Sequence, residues 1–350
     1  MGNSQLYPRY AEPHLIEALA DSPAVLIYGP RQCGKTTLAQ RVGERLGYAY
    51  INFDDDVARG AGEADPADFV ADLPDRVILD EVQRVPTLFV ALKTAIDRKR
   101  SPGRYILIGS ANVLLVPRLA DSLAGRLEML RLHPLAQCEL EQRETGFLDT
   151  LFASGFKTRS GERLAGELAE RIVAGGYPAA LARKAGRRRA TWYRDYLDAL
   201  VQRDVRDLTR ISALDSLPRL LALAAALLGI NAAALTADRS MLGQMLETFV
   251  FQELRRQASW HNESLQFFHF RDKDGAEVDI VIERGAHMLA GVEVKAGATV
   301  TTADFRGLRK LKQAAGSRFA GGVVLYDGET CASFGEGMHA VPLRGLWEST

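Results

Sequence analysis

The 350-residue sequence predicts an α/β fold: a parallel sheet flanked by helices, then a helical middle region, then a small α/β carboxy-terminal domain. Three observations lead there. Between residues 25 and 132, short apolar runs alternate with helical patterns, as in a parallel sheet covered on both faces. From about residue 136 to 226 the pattern is helical. After residue 241, an amphipathic helix gives way to strands alternating in polarity over 265–270, 277–282 and 291–295. The expected domains are 1–135, 136–240 and 241–350, in keeping with a prior of about 150 residues per domain.

Composition excludes several classes. Lys and Arg total 44 and Asp and Glu total 44, so no bulk basicity announces a nucleic-acid partner, and such binding would have to come from local patches. The three cysteines, Cys33, Cys138 and Cys331, stand far apart without a CxxC pair, which argues against a disulfide framework or a zinc site. The start of the chain has no apolar signal core, and Leu6 stands where a myristoylation signal requires Ser or Thr. The longest apolar run, 220–230, is about half of the roughly 20 residues a bilayer requires, so a buried helix, no membrane partner and a cytoplasmic location are expected.

Taken in order, the first element with chemical content is Gly29-Pro30-Arg31-Gln32-Cys33-Gly34-Lys35-Thr36. An apolar run, 24–28, precedes it and a helical pattern, 37–46, comes after it, the context a phosphate-binding P-loop requires. Its backbone N–H groups and the helix dipole would face phosphate oxygens, with Thr37 in the first helical turn. Lys35 would reach the β and γ phosphates of ATP, and the Thr36 hydroxyl would ligate Mg²⁺. Cys33 is expected as a small neutral filler, although an electropositive loop would lower its pKa.

A second strand over 48–53 ends in Asp54, Asp55 and Asp56. The run 76–79 then delivers Asp80 and Glu81 to the carboxyl edge of a buried strand, a Walker B pattern. Asp80 would hold Mg²⁺ through water and Glu81 would polarise the attacking water. After a helix from Pro86 to about Arg98, the strand over 105–109 leads to Ser110 and Asn112, placed either to sense the γ phosphate or to cap the next helix. Arg126 precedes the strand over 127–132 and is the candidate arginine finger or sensor, with Arg118 second; a surface salt bridge is the alternative. A finger acting in trans would imply a homo-oligomer.

The segments GPRQCGKTTLA, VILDEVQ, YILIGSAN and SLAGRLEMLRLHPL together resemble prokaryotic AAA-type ATPases in which an AAA_14 domain is joined to a DUF4143 region. Gly175-Gly176-Tyr177-Pro178 is similar to a turn those proteins share after the ATPase core. The resemblance implies that Lys35, Thr36, Asp80 and Glu81 are the nucleotide and magnesium residues. The sequence also departs from that pattern. Resembling proteins carry a winged-helix-like segment after a helix like 217–226, whereas here 221–226 runs almost directly into 227–231, as if that segment were deleted.

In the helical region, Trp192, Tyr193 and Tyr196 recur at core spacing, just after the basic cluster Arg183, Lys184, Arg187, Arg188 and Arg189. Such a cluster either grips a phosphate backbone beside stacking aromatics or is a solvated helix start. In the last domain, strand alternation puts Glu277 and Asp279 on one face, and Glu293 with Lys295 on one face of the next strand. Acids and a lysine on adjoining strands form a metal-plus-nucleophile arrangement. This resembles the PD-(D/E)xK nuclease motif of restriction-endonuclease-like folds, which implies Asp279, Glu293 and Lys295 as its core and Glu247 as a helix-borne acid. An ordinary exposed Glu–Lys pair is the alternative. The expected function is Mg²⁺-dependent ATP hydrolysis coupled to a nuclease-like, DNA-directed domain. The alternative is an ATP-switched module that recognises nucleic acid or protein without catalysis.

Overall fold

The computed structural model describes residues 6–110, 123, 125–204, 231–285 and 287–348. Asn112, Arg118, the apolar run 220–230 and the junction of the expected deletion lie outside them. The chain divides into two compact units, Pro8–Leu135 and Ala136–Thr350, the second joined by the residues up to Tyr7. Among the described residues no helix is long and apolar enough to cross a membrane.

The first unit runs α1 (Glu12–Asp21), β1 (Ala24–Gly29), α2 (Lys35–Leu46), β2 (Ala49–Asn52), α3 (Asp56–Ala64), α4 (Pro66–Ala71), β3 (Val77–Asp80), α5 (Leu88–Arg98), β4 (Tyr105–Ser110) and β5 (Leu127–Arg131). Its sheet has the order β2-β3-β4-β1-β5, and every neighbouring pair is parallel. The central strands β1, β3 and β4 are buried almost throughout, which is why they read as apolar runs instead of alternating. One apolar layer, including Phe53, Leu79, Phe89 and Leu107, covers one sheet face. A second, including Leu15, Ile27, Leu38, Ile78 and Ile108, packs α1 and α2 on the other. Side-chain capping starts the short helices: Asp55 accepts from the Val57 and Ala58 amides, and Asp65 from those of Ala67 and Asp68. With parallel strands in this register, Gly29, Asp80 and Ser110 all fall at the carboxyl edge of the sheet.

The second unit does not divide at residue 240 as the sequence predicts. It contains α6 (Gln137–Glu141), α7 (Phe147–Phe152), β6 (Arg159–Ser160), α8 (Gly166–Ala174), α9 (Pro178–Leu181), α10 (Arg187–Asp204), α11 (Ala232–Ala237) and α12 (Arg239–Ala258). These are followed by β7 (Leu265–Arg271), β8 (Glu277–Arg284), β9 (Met288–Lys295), α13 (Arg306–Ala315), β10 (Phe319–Tyr326), β11 (Thr330–Ser333) and β12 (Met338–Pro342). The sheet order is β6-β11-β12-β10-β9-β8-β7, so a strand from the helical region pairs directly with the carboxy-terminal sheet. Polar contacts tie the two regions further. The Gln137 amide donates to Glu253 Oε2 at 2.8 Å, and Thr145 Oγ1 donates to Leu346 O at 3.0 Å. A domain boundary needs few crossing contacts, and here both strand pairing and polar side-chain contacts cross residue 240.

Candidate functional site

The candidate nucleotide site is built by the loop between β1 and α2 together with the end of β3. Gly29 has φ 155°, and a side chain there would collide with the Leu132 carbonyl, so only glycine lets the loop leave the strand this close to the end of β5. Lys35 is buried and its ammonium donates to Gly29 O at 3.2 Å and Pro30 O at 2.9 Å. Those loop carbonyls hold the charge where phosphate oxygens would otherwise accept it. Thr36 Oγ1 donates to Asp80 Oδ2 at 2.8 Å, joining the first turn of α2 to the end of β3. The Glu81 amide donates to Asp80 Oδ1 at 2.9 Å. A hydroxyl and a carboxylate touching at a helix N-terminus are a hard-oxygen set suited to Mg²⁺. Glu81 stands in the left-handed region at φ 56° and ψ 40°, and its Oε2 accepts from the Gln83 side-chain amide.

Around this core, Ser110 is buried and pairs in register with Gly29, so β4 brings it to the loop's strand end. Arg31 and Gln32 form the loop tip, Gln32 with φ 60°. Cys33 is fully buried with its Sγ donating to Leu132 O at 3.4 Å, and burial pushes its thiol pKa up despite the nearby Lys35 and Arg9 charges. The filler reading fits this setting; an activated thiol does not.

Arg126 is not at a strand mouth near the phosphates. The parallel register opposes Ala24 to Leu127, which puts Arg126 at the amino edge of the sheet, where it pairs with Asp97 at 2.6 Å. At about 3.3 Å per residue, the length of β1 separates the two edges by roughly 16 Å. The error was one of strand polarity: a residue before a parallel strand lies at the edge away from the ligand. Arg131, opposite Tyr28, ends β5 on the loop side.

Two participants were missed. Tyr50 Oη donates to Asp80 Oδ2 at 2.8 Å, although in sequence Tyr50 is one more alternating residue of an edge strand. Burial, its bond to Asp80 and the charges of Asp80, Asp54 and Glu81 all raise its pKa. Arg9, ahead of α1, spans the Cys33 and His133 carbonyls, each at 2.7 Å, and so fixes the loop backbone from outside the motif.

In the second unit, Asp279 and Glu293 meet on neighbouring strands. Asp279 Oδ2 accepts from the Val294 amide at 2.8 Å. Burial and then the Asp279 carboxylate push the Glu293 pKa up. Glu247 on α12 is raised by burial and by the charges of Asp279 and Glu277, so it faces the pair across space. The expected three-carboxylate set is not formed: among the described residues no three His, Cys, Asp or Glu side chains could together hold a metal. Lys295 is also engaged elsewhere, its Nζ lying 2.5 Å from Asp304 Oδ1. Asp304 comes from the 3-10 turn before α13, a segment the strand pattern gives no reason to connect with Lys295.

The aromatics after the basic cluster do not form a stacking platform. Trp192, Tyr193 and Tyr196 are buried with Ala180, packed against Tyr177, and the Arg183 guanidinium lies 5.8 Å from the Trp192 ring centroid. Helical periodicity therefore marked core residues here.

A parallel sheet, a loop before a helix N-terminus and a strand-end acid bonded to the threonine that begins the helix are the parts of a P-loop-like arrangement. Among known proteins, residues 21–141 match the AAA_14 family model, described as an AAA domain. Residues 242–346 match DUF4143 and 165–259 match DUF8612, both described as domains of unknown function. Uncharacterized proteins of Mycobacterium bovis and Mycobacterium tuberculosis are each 31% identical over 201 residues, 57% of this chain and 40% of theirs. The chain thus matches well under half the length of these relatives. A shikimate kinase of Saccharopolyspora erythraea is 48% identical over 42 residues, 12% of this chain and 24% of that one. A Walker-type ATPase structure from Pyrococcus abyssi aligns at 15% identity and TM-score 0.36, covering 65% of this chain and 91% of that one.

Proposed function

We propose that residues 8–135 bind ATP with Mg²⁺ and hydrolyse it, and that the observation carrying this reading is the Thr36–Asp80 bond with Glu81 next in the chain. Thr36 and, through water, Asp80 would hold the metal, which when bound supplies charge neutralisation at the phosphates. Lys35 exchanges its loop carbonyls for β and γ phosphate oxygens. The N–H groups at the start of α2 orient the phosphate chain, and Ser110 contacts the γ phosphate from β4. Glu81 accepts a proton from the attacking water. In support of this reading, Gly29, Asp80 and Ser110 end neighbouring parallel strands of one sheet. The test is ATP hydrolysis by the purified chain: Lys35→Ala should lose binding and turnover together, whereas Glu81→Gln should keep ATP bound and lose turnover.

For the second unit we propose a nuclease-like core that ATP turnover in the first unit controls, with DNA as its polymer. In favour are the antiparallel β7-β8-β9 run, the parallel β9–β10 pair joined through α13, and the Asp279–Glu293 pair. Two adjacent acids repel when both are charged, a donor set that a divalent cation would relieve. The Lys295–Asp304 ion pair favours a second reading, a module that binds nucleic acid or protein without cutting. Mg²⁺-dependent DNA cleavage that Asp279→Ala abolishes supports the first. DNA retention without cleavage, in the parent and in an Asp279→Ala, Glu293→Ala double variant, supports the second.

A further inference from the structure

The VILDEVQ segment contains one residue that no role above absorbs. Gln83 lies in the 3-10 turn Val82–Arg84, directly after Glu81, and that turn is anchored by buried Val82 and followed by buried Val85. Arg84 adds a 2.6 Å ion pair with Asp54 at the end of β2. The turn therefore holds Gln83 against Glu81 from both sides. A carboxylate only accepts hydrogen bonds, so the nitrogen of the Gln83 amide faces Glu81 Oε2. The other end of the same amide, Gln83 Oε1, is buried and has no hydrogen-bond partner among the described residues. A buried acceptor without a donor is costly, and it persists where a ligand or water completes it.

We propose that Gln83 is a second water-binding residue of the hydrolytic centre, resting on the reading of residues 8–135 as an ATPase. Its amide nitrogen ties down Glu81 Oε2 and leaves Glu81 Oε1 as the proton acceptor. Its own Oε1 accepts the other hydrogen of the attacking water, so the two side chains fix both O–H directions. The water oxygen bonds to the γ phosphorus as the bond to the β,γ-bridging oxygen breaks, and that electron pair leaves on ADP. One water proton passes to Glu81 and the other stays on the product phosphate. The left-handed backbone at Glu81 accords with this geometry, because it brings residues 81 and 83 round the same tight turn.

The test compares the full chain with Gln83→Ala, Gln83→Glu, Glu81→Gln and the Glu81→Gln, Gln83→Ala pair. Expected are a fall in kcat on the order of a hundredfold for either Gln83 variant, as for loss of one transition-state hydrogen bond, and ATP and ADP affinities within about twofold of the parent. Gln83→Ala should cost little more once Glu81 is already Gln, because groups acting on one water are non-additive. Titration of ADP with aluminium fluoride, which mimics the transferring phosphoryl group, should show weaker binding in Gln83→Ala while ADP alone does not. Gln83→Glu keeps the side chain's shape but sets a second acid against Glu81, so its circular dichroism should match the parent while its melting falls no further than that of Gln83→Ala. An unchanged or raised kcat, full multiplicativity with Glu81→Gln, or a parallel loss of ATP affinity would each overturn the assignment. Turnover that needs Glu81 but not Gln83 removes this inference alone; absence of turnover in the parent removes the reading beneath it as well.

Discussion

At the scale of single residues, the nucleotide site turns on Asp80, whose two oxygens accept from Thr36, Tyr50 and the Glu81 amide. Tyr50→Phe removes one neutral donor and leaves the others, which at about 1 kcal/mol per hydrogen bond predicts roughly a fivefold rise in the Mg²⁺ concentration for half-maximal turnover. A magnesium titration of ATPase rate checks it. Lys35→Ala removes a charged donor and is expected to weaken ATP by about 1.5–3 kcal/mol, tenfold to over a hundredfold in Kd by calorimetry. Arg126→Ala, at the opposite sheet edge, should leave turnover within about twofold. A larger loss that depends on protein concentration would instead place this arginine in a neighbouring subunit's site.

Elements explain which of these residues sequence could reveal. The positions of Gly29, Lys35, Thr36, Asp80 and Glu81 at loop, helix start and strand end were legible because these features are local, and each advertises its place by composition. Tyr50 and Arg9 were not, since their roles arise from strand pairing and from a carbonyl more than a hundred residues away. Arg126 was misplaced because it precedes its strand, and in a parallel sheet that position lies at the edge away from the ligand. In the second unit, α13 approaches the acid pair so closely that a side chain on Gly307 would strike the Glu277 carbonyl, with Glu293 Oε1 next to it. Gly307→Val should therefore destabilise this unit by about 1–3 kcal/mol, a lowered melting temperature by calorimetry, as overpacking does. Deeper in the same unit, burial holds the Glu253 pKa above its ordinary 4.5 although Arg256 and the Gln137 amide oppose this. The folded state then binds this proton more tightly than the unfolded chain does. Its contribution is present below the unfolded pKa and is lost as pH rises from there through the raised folded value. Melting temperature against pH should show that decline, and Glu253→Gln, starting lower, should show less of it.

At the scale of the molecule, alternating strands and helices were enough to foresee two sheets, but not that the helical region would join the second of them. That joining depends on β6, two residues long, and on polar contacts between segments far apart in sequence, none of which leaves a periodic trace. The proposed coupling of ATP turnover to a nucleic-acid-directed second unit predicts that duplex DNA changes the ATPase rate of the parent. Asp279→Ala with Glu293→Ala should leave the basal rate unchanged. The central claim, that the loop from Gly29 to Thr36 with Asp80 and Glu81 forms a hydrolytic centre, is tested most directly by Mg²⁺-dependent phosphate release from ATP, measured beside ATP affinity in the parent and in Glu81→Gln. Turnover is expected in the parent and at least a hundredfold loss in the variant, about the share a general base supplies, with ATP affinity retained. A parent that binds ATP without releasing phosphate, or a variant that turns over at the parent's rate, would contradict it.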